Sequence, residues 1–304
     1  MPTLNTVRTN VLEIAYEESG PGDGRCVVLL HGFPDDVRAF DGVVPRLVTA
    51  GYRVLVPYLR GYGPTRLRDA ATPRSGEQAA IGEDVRDFLE ALGIDRAFLA
   101  GYDWGGRAAC VTAVLWPERV AGLVTIGGYH VQNVAASGTP AGALAEQRFW
   151  YQWYLLSDRG RAGLEENRRD LCRLMWRLWS PNWAFDEETF ERTAASFDNP
   201  DFVEIVLHSY RHRNGTASGF SMYAGSEAVL ARQPAITVPA IILHGGADGV
   251  TPPENTESHG RYFTDLRRRT VVPKAGHFLA QEAPDAVVDA LIELTDSDPA
   301  MPTR

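Results

Sequence analysis

Apolar residues along this chain form two patterns that alternate with each other. Short continuously apolar runs are typical of strands buried on both faces of a sheet. Such runs occupy residues 26–30, 98–101, 120–126 and 240–244, and less regular ones occupy 52–59 and 269–272. Between them, apolar residues recur every three or four positions, as on one face of a helix. Strands that alternate with helices predict an α/β fold, with a mostly parallel, doubly wound sheet covered by helices on both faces.

The pattern changes between residues 132 and 234, where strand-like runs disappear. Five of the 7 tryptophans of the chain lie in this stretch, among many arginines. Apolar residues there recur at helical spacing, so we predict an inserted helical cap. The predicted organisation is a first core part at 1–131, a cap at 132–234 and a second core part at 235–304. The polar tail from Asp296, which contains Pro299 and Pro302, is expected to be frayed.

Composition and charge narrow the classes of function. A net charge of −9 over 304 residues argues against nucleic acid or an anionic membrane as the partner. Neither a signal peptide nor a membrane-spanning run is evident. The 3 cysteines have no metal-ligand spacing, so we expect a cytoplasmic protein with neither metal nor organic cofactor. The sequence leaves open whether the protein forms a homodimer.

The most informative segment is the run 98–107, in which an apolar strand ends at Gly101, Asp103 follows, and Gly105 begins a new segment. This spacing matches a nucleophile elbow, G-x-Nu-x-G, with Asp in place of the usual Ser. Asp248 and His277 follow later, each directly after a predicted strand. Nucleophile, acid and histidine in this chain order are the arrangement of the α/β-hydrolase fold.

A carboxylate at the elbow changes the chemistry that can occur there. An aspartate with an ordinary pKa of about 3.9 is ionised at neutral pH and can displace a leaving group at a saturated carbon, forming an ester. His277, oriented by Asp248, would then activate water to hydrolyse that ester. The oxyanion would develop on Asp103 itself, and the backbone N–H groups of Phe33 and Trp104 are the expected donors.

Several motifs together resemble the epoxide hydrolases of the α/β-hydrolase fold: His31-Gly32-Phe33-Pro34, Arg60-Gly61-Tyr62-Gly63, Gly101-Tyr102-Asp103-Trp104-Gly105-Gly106 and Gly276-His277-Phe278. The resemblance extends into the cap and implies that Tyr151 and Tyr210 donate hydrogen bonds to the epoxide oxygen. It also implies a cis peptide before Pro34. Phe33, Trp104 and Trp153 are then expected to contact the substrate, a small-molecule epoxide that is apolar or aromatic. Tyr58 and Tyr102 stand where that family usually has an acid and a histidine.

Three other readings stay open. A haloalkane or haloacid dehalogenase would use the same Asp–His–Asp set, although haloalkane dehalogenases typically have Asn where this chain has Phe33. Arg107 is similar to one of two substrate-binding arginines of fluoroacetate dehalogenases, but Trp104 replaces the other, so an acidic substrate remains open. A non-catalytic ligand receptor on a hydrolase scaffold would not need the buried acid–base pair. An ordinary carbonyl-ester hydrolase is disfavoured by the aspartate at the elbow.

Overall fold

The computed structural model describes residues 3–298. The strands are β1 (Thr3–Arg8), β2 (Leu12–Ser19), β3 (Cys26–Leu30), β4 (Arg53–Pro57), β5 (Arg66–Leu67), β6 (Ala97–Tyr102), β7 (Val120–Ile126), β8 (Ala240–Gly245) and β9 (Leu266–Val272). The helices are α1 (Val44–Thr49), α2 (Gln78–Ala91), α3 (Asp103–Leu115), α4 (Ala143–Arg148), α5 (Trp150–Leu156), α6 (Asp158–Trp179), α7 (Glu187–Ala194), α8 (Phe202–Arg213), α9 (Ala224–Leu230), α10 (Leu279–Glu282) and α11 (Pro284–Asp296). The expected frayed tail lies outside the described residues from Pro299 onward.

The strands form one sheet in the order β1-β2-β4-β3-β6-β7-β8-β9, with β5 paired to β2. Pairing is antiparallel from β1 to β4 and parallel from β4 to β9. The predicted mostly parallel sheet of an α/β-hydrolase fold is therefore confirmed. The sequence pattern did not reveal β1, because this edge strand is largely exposed and has no apolar face to mark it.

The central strands are apolar throughout because both faces of the sheet are covered. Every residue of β6, β7 and β8 is buried. Helices α2 and α3 pack against each other, and α3 and α11 also contact the central strands. The carboxyl ends of β6 and β8 lie at the same edge of the sheet, where binding sites of parallel α/β sheets occur.

Between β7 and β8 the described chain contains helices and loops but none of the sheet strands. The longest of these helices, α6, is kinked at Asn167, whose φ of −125° and ψ of 28° are not helical. Trp176 on α6 is fully buried, and its indole N–H donates to the carbonyl of Pro34 at 2.7 Å. This contact ties the helical layer to the loop that follows β3. The domain boundaries at 132 and 234 stay predictions.

None of the helices in residues 3–298 combines the length and the apolar character needed to cross a membrane.

Candidate active site

Asp103 lies at a sharp turn between β6 and α3, and its φ of +48° is in the left-handed region. Small neighbours make this turn possible. A Cβ atom on Gly105 would lie 2.0 Å from the carbonyl oxygen of Leu30, and one on Gly101 would lie 2.6 Å from the backbone of Gly105. The turn therefore requires glycine on both sides of the carboxylate. It presents Asp103 in the first turn of a helix, where the helix dipole favours an anion.

The loop after β3 contributes a backbone donor to this carboxylate. The N–H of Phe33 donates to Asp103 Oδ1 at 2.9 Å, and the peptide between Phe33 and Pro34 is cis. The N–H of Trp104 lies in the first turn of α3, so it has no acceptor within its own helix. Two backbone donors are thus available where an oxyanion would form on the carboxyl group of Asp103.

His277 lies between the two aspartates. Its Nδ1 is 3.0 Å from Asp248 Oδ2, and its Nε2 is 4.0 Å from Asp103 Oδ2 and has no hydrogen-bond partner among the described residues. The other oxygen of Asp248 accepts from the N–H groups of Val250 at 2.7 Å and Thr251 at 2.9 Å. Asp248 is therefore fixed as an acceptor, so the neutral imidazole carries its proton on Nδ1 and leaves Nε2 free as a base.

Electrostatic interactions between His277 and Asp248 favour the form in which the imidazole is protonated and the carboxylate is ionised. Burial lowers the pKa of His277, but the charge and hydrogen bond of Asp248, together with the charge of Asp103, outweigh burial and raise it above 6.5. Burial raises the pKa of Asp248, but His277 and the backbone donors outweigh burial and hold it below its ordinary value. Asp248 therefore stays ionised and stabilises the imidazolium that forms when His277 takes a proton.

Two phenols of the helical layer, those of Tyr151 and Tyr210, lie together in the buried interior. Their rings meet edge to face with centroids 5.4 Å apart, and Tyr210 is also 6.1 Å from Trp104. The hydroxyl of Tyr151 accepts from Gln152 Nε2 at 3.2 Å, whereas the buried hydroxyl of Tyr210 has no hydrogen-bond partner within residues 3–298. Burial raises the pKa of Tyr151 to about 12 and that of Tyr210 well above 10. Both phenols consequently carry their protons at neutral pH.

Aromatic rings surround these polar groups. Phe33 stacks on Trp104 with centroids 5.6 Å apart. Trp179, at the end of α6, lies 4.8 Å from the Tyr151 ring and 5.2 Å from the His277 ring. The indole N–H groups of Trp104 and Trp179 are buried and have no acceptor in the part of the chain that the structure describes. Sequence reasoning did not single out Trp179, because only the folded packing distinguishes it from the other tryptophans of the same stretch.

The structure does not bring Trp153 to this cluster. Successive helical residues turn by about 100°, so Trp153 points away from Tyr151, two positions earlier. It is 41% exposed, while Tyr151 and Gln152 are buried at 2% and 4%. This turn of α5 therefore supplies Tyr151 and Gln152 to the buried interior. Trp153 faces outward and does not join the aromatic cluster around Asp103.

Residues outside the reacting groups hold the loops in place. His31 Nε2 accepts from the N–H of Leu59 at 3.1 Å, which links the loops that follow β3 and β4. Tyr102 donates to Asp35 at 2.5 Å, and Gln281 donates to the same carboxylate at 2.7 Å. Tyr102, the residue directly before the nucleophile, is thus connected to the loop that carries Phe33. Within residues 3–298, no group of three or more His, Cys, Asp or Glu residues is arranged to hold a metal ion.

The fold and the site geometry agree with comparisons to known proteins. A sequence model of the alpha/beta hydrolase fold matches residues 25–284. The chain belongs to the alpha/beta hydrolase fold family. Within it, the chain is 36% identical to epoxide hydrolase 2 of Siraitia grosvenorii, over 94% of this chain and 96% of that protein.

Two further relatives have similar names. Epoxide hydrolase A of Mycobacterium tuberculosis is 27% identical, over 96% of this chain and 97% of the relative. The crystal structure of a candidate epoxide hydrolase from Klebsiella pneumoniae has a TM-score of 0.93 and 41% identity, covering 97% of each chain. The resemblance inferred from the motifs is confirmed, and the chain is an epoxide hydrolase-like hydrolase.

Proposed function

We propose that this protein is an epoxide hydrolase that converts an epoxide to a vicinal diol through an ester on Asp103. The observation that carries the proposal is the set of groups around that carboxylate. His277 Nε2 lies 4.0 Å from Asp103 Oδ2, and neither this nitrogen nor the buried hydroxyl of Tyr210 has a hydrogen-bond partner among the described residues. A base for water and a proton donor for an alkoxide are the two groups that this reaction needs. The named relatives act as independent support.

In the first step, an Asp103 oxygen attacks a ring carbon of the epoxide. The carbon–oxygen bond of the ring breaks, and its electron pair goes to the ring oxygen. This oxygen accepts a hydrogen bond and then a proton from Tyr210 or Tyr151, both of which are protonated at neutral pH. The product of this step is a hydroxyalkyl ester of Asp103.

In the second step, His277 Nε2 removes a proton from a water molecule, and the water oxygen adds to the carbonyl carbon of the ester. The N–H groups of Phe33 and Trp104 stabilise the resulting oxyanion on the Asp103 carboxyl group. Collapse of this intermediate breaks the ester bond, and the imidazolium gives its proton to the departing alcohol oxygen, which completes the diol. The proton left on the regenerated Asp103 carboxyl group passes to the tyrosinate, so Asp103, His277 and the phenol all return to their starting states. Asp248 stabilises the imidazolium throughout this step.

The decisive experiment traps the ester. His277→Gln removes the base for the second step, so the variant should gain a mass equal to that of the intact epoxide when incubated with a panel of aryl and alkyl epoxides. The double variant Asp103→Asn/His277→Gln is the matched control and should gain none. Incubation of the wild type in excess over substrate in ¹⁸O-water should place ¹⁸O in the Asp103 side chain. Label found only in the diol would refute the covalent mechanism.

A specific observation also supports a second candidate, dehalogenation. The indole N–H groups of Trp104 and Trp179 are buried and have no acceptor among the residues that the structure describes, and such donors can bind a departing halide. Asp103 would then displace the halide from carbon, and the same water step would release an alcohol. Halide release without any diol formation, unaffected by changing both Tyr151 and Tyr210 to Phe, would favour this candidate. Tight ligand binding with no turnover of either substrate class would instead favour a receptor.

We also propose that residues 132–234 form a cap over the core and that the protein is cytoplasmic, since Cys26, Cys110 and Cys172 are all free thiols. The aromatic wall around Asp103 supports an aryl or alkyl group as the apolar part of the substrate.

A further inference from the structure

Two guanidinium groups converge near the catalytic residues without a carboxylate between them. Arg107 lies on α3 one turn after Asp103 and is 5% exposed, and Arg213 is the last residue of α8 and is partly buried. Among the described residues, neither forms an ion pair with an Asp or Glu, and Arg107 Nε has no hydrogen-bond partner.

The two arginines share one acceptor, the side-chain amide of Gln132. With the amide oriented so that its oxygen faces them, this oxygen accepts from Arg107 Nη2 at 3.0 Å and from Arg213 Nε and Nη2 at 2.8 and 2.9 Å. The backbone N–H of Gln132 in turn donates to Gln78 Oε1 at 2.8 Å, which fixes the position of Gln132. An amide oxygen satisfies some of these donors, but it does not neutralise two positive charges.

This arrangement is electrostatically costly. Buried charges in proteins are normally paired, because removing a charge from water without a partner is unfavourable. Burial lowers the pKa of Arg107 to about 10, and the neighbouring charge of Arg213 adds to that effect. The charge of Asp103 offsets part of this effect, but the pKa of Arg107 stays lowered, and neither arginine forms an ion pair among the described residues. The remaining positive charge can therefore be neutralised by an anion that binds there.

The arginines line a cavity of about 200 Å³ whose wall also includes Gln132, Asp248 and His277. The guanidinium carbon of Arg213 lies 5.6 Å from the centroid of the Tyr210 ring. Arg107 follows Asp103 by one turn of α3, and the charge of Asp103 is near enough to act on it. An anionic group bound by the arginines would therefore belong to a molecule short enough to place another of its carbons beside Asp103.

Asp248, the acidic residue on the cavity wall, does not oppose an anion strongly. Both oxygens of Asp248 are already occupied, by His277 and by two backbone N–H groups. His130 and His259 also line the cavity. Burial is the largest of the effects that lower the pKa of each histidine to about 4, so both imidazoles are neutral at pH 7. Formation of the ester would remove the charge of Asp103 as well, leaving the arginines with still less compensation.

We propose that Arg107 and Arg213 bind a carboxylate of the substrate, so that the preferred substrates are short epoxy acids. This proposal rests on the proposed epoxide hydrolysis and adds the class of substrate. Guanidinium groups present paired N–H donors that match the two oxygens of a carboxylate. The carboxylate would neutralise the pair at one end, while the epoxide at the other end lies between Asp103 and the two phenols.

The first experiment compares oxirane-2-carboxylate with oxirane-2-carboxamide. We expect the ratio of their kcat/KM values, acid over amide, to fall by about 10- to 100-fold in Arg213→Gln, the range expected for loss of a charge-assisted hydrogen bond. Arg211→Gln is the matched control on the same helix, since Arg211 donates only to the carbonyls of Leu155 and Ser157. Its ratio should equal that of the wild type. Arg213→Lys, which keeps the charge, should recover part of the loss.

The second experiment measures binding without turnover. At constant ionic strength, sodium propionate should raise the unfolding temperature of the wild type and of Arg211→Gln, but not that of Arg213→Gln, whereas propionamide should raise none. Equal loss of kcat/KM for both substrates in Arg213→Gln would mean a structural role and would overturn the proposal. So would the absence of any effect of propionate on the wild type. If propionate binds as expected but no epoxide is hydrolysed, the anion site stands and the proposed function fails.

Discussion

Replacement of Tyr210 by Phe separates a catalytic role of the hydroxyl from a structural one. In the resting protein this hydroxyl is buried and has no hydrogen-bond partner among the described residues. A buried unsatisfied polar group costs about 1–3 kcal/mol, so its removal should leave the free energy of unfolding unchanged or raise it by about 1 kcal/mol. During ring opening, the same hydroxyl would donate to the developing alkoxide. Loss of one such donor costs about 3–4 kcal/mol, which is about 10²- to 10³-fold in rate.

A second phenol, that of Tyr151, affects the size of the rate loss expected for Tyr210→Phe because it lies beside Tyr210. Its ring centroid is 5.4 Å from that of Tyr210, so either hydroxyl can approach the same oxygen atom. Tyr151→Phe also removes an acceptor of Gln152, so this variant should lose some stability that Tyr210→Phe keeps. Each single variant retains one donor. The double variant retains neither, and its rate of ester formation should fall by at least about 10⁴-fold.

The assay must resolve the two chemical steps. Rapid-quench mass spectrometry under single-turnover conditions measures ester formation and ester hydrolysis separately, and we expect only ester formation to slow in the phenol variants. Tyr62→Phe is the matched control, because Tyr62 is also fully buried with an unpartnered hydroxyl. It should show the same change in stability with no change in either rate. Slowed hydrolysis with normal ester formation in Tyr210→Phe, or a double variant as fast as the wild type, would refute this role.

Two further predictions concern the base and the elbow. Because the neutral form of His277 is the base, the rate of ester hydrolysis should fall as pH drops through the pKa of His277, which the charge and hydrogen bond of Asp248 raise. Asp248→Asn should move the midpoint of this fall to lower pH and slow hydrolysis, as measured by single-turnover pH profiles; an unchanged midpoint would contradict the assigned pairing. Gly105→Ala should destabilise the protein by about 3 kcal/mol or more in urea unfolding, because its Cβ would lie 2.0 Å from Leu30 O. Gly225→Ala, in α9 with nothing within 4 Å, should instead be neutral or stabilising by up to about 1 kcal/mol, and equal effects of the two substitutions would refute the steric argument.

The sequence predicted the parallel part of the sheet because each central strand is buried on both faces and is therefore apolar at every position. The order of β3, β6, β7 and β8 in the sheet depends on which strands pair with each other, and no single apolar segment of the sequence predicts that pairing. Strand β1 was not predicted, since an exposed edge strand needs no apolar face. The elbow at Asp103 could be predicted because its turn tolerates only glycine at neighbouring positions, which leaves a local signal.

Side chains that meet only through tertiary packing left a weaker signal. Tyr151 and Tyr210 are 59 positions apart, and only a resemblance to known proteins suggested that they act together. Trp153 was assigned to the substrate wall because it is adjacent to Tyr151 in sequence, but helical geometry directs it outward. Trp179 contacts both His277 and Tyr151 and could not be distinguished from the other tryptophans of the helical stretch before its packing was known.

The positions of the unsatisfied polar atoms give an independent reason to place the chemistry at Asp103. Of the nine buried side-chain atoms that have no hydrogen-bond partner among the described residues, five belong to residues around this carboxylate: Trp104 Nε1, Arg107 Nε, Trp179 Nε1, Tyr210 Oη and His277 Nε2. Buried polar groups in proteins normally have a hydrogen-bond partner, so a group of them without a protein partner marks a place where water or a ligand can bind. The donors suit an anionic or electron-rich oxygen, and the one base of this group, His277 Nε2, suits a water molecule. The atoms without a protein partner are therefore the kinds of group that the proposed two-step hydrolysis uses.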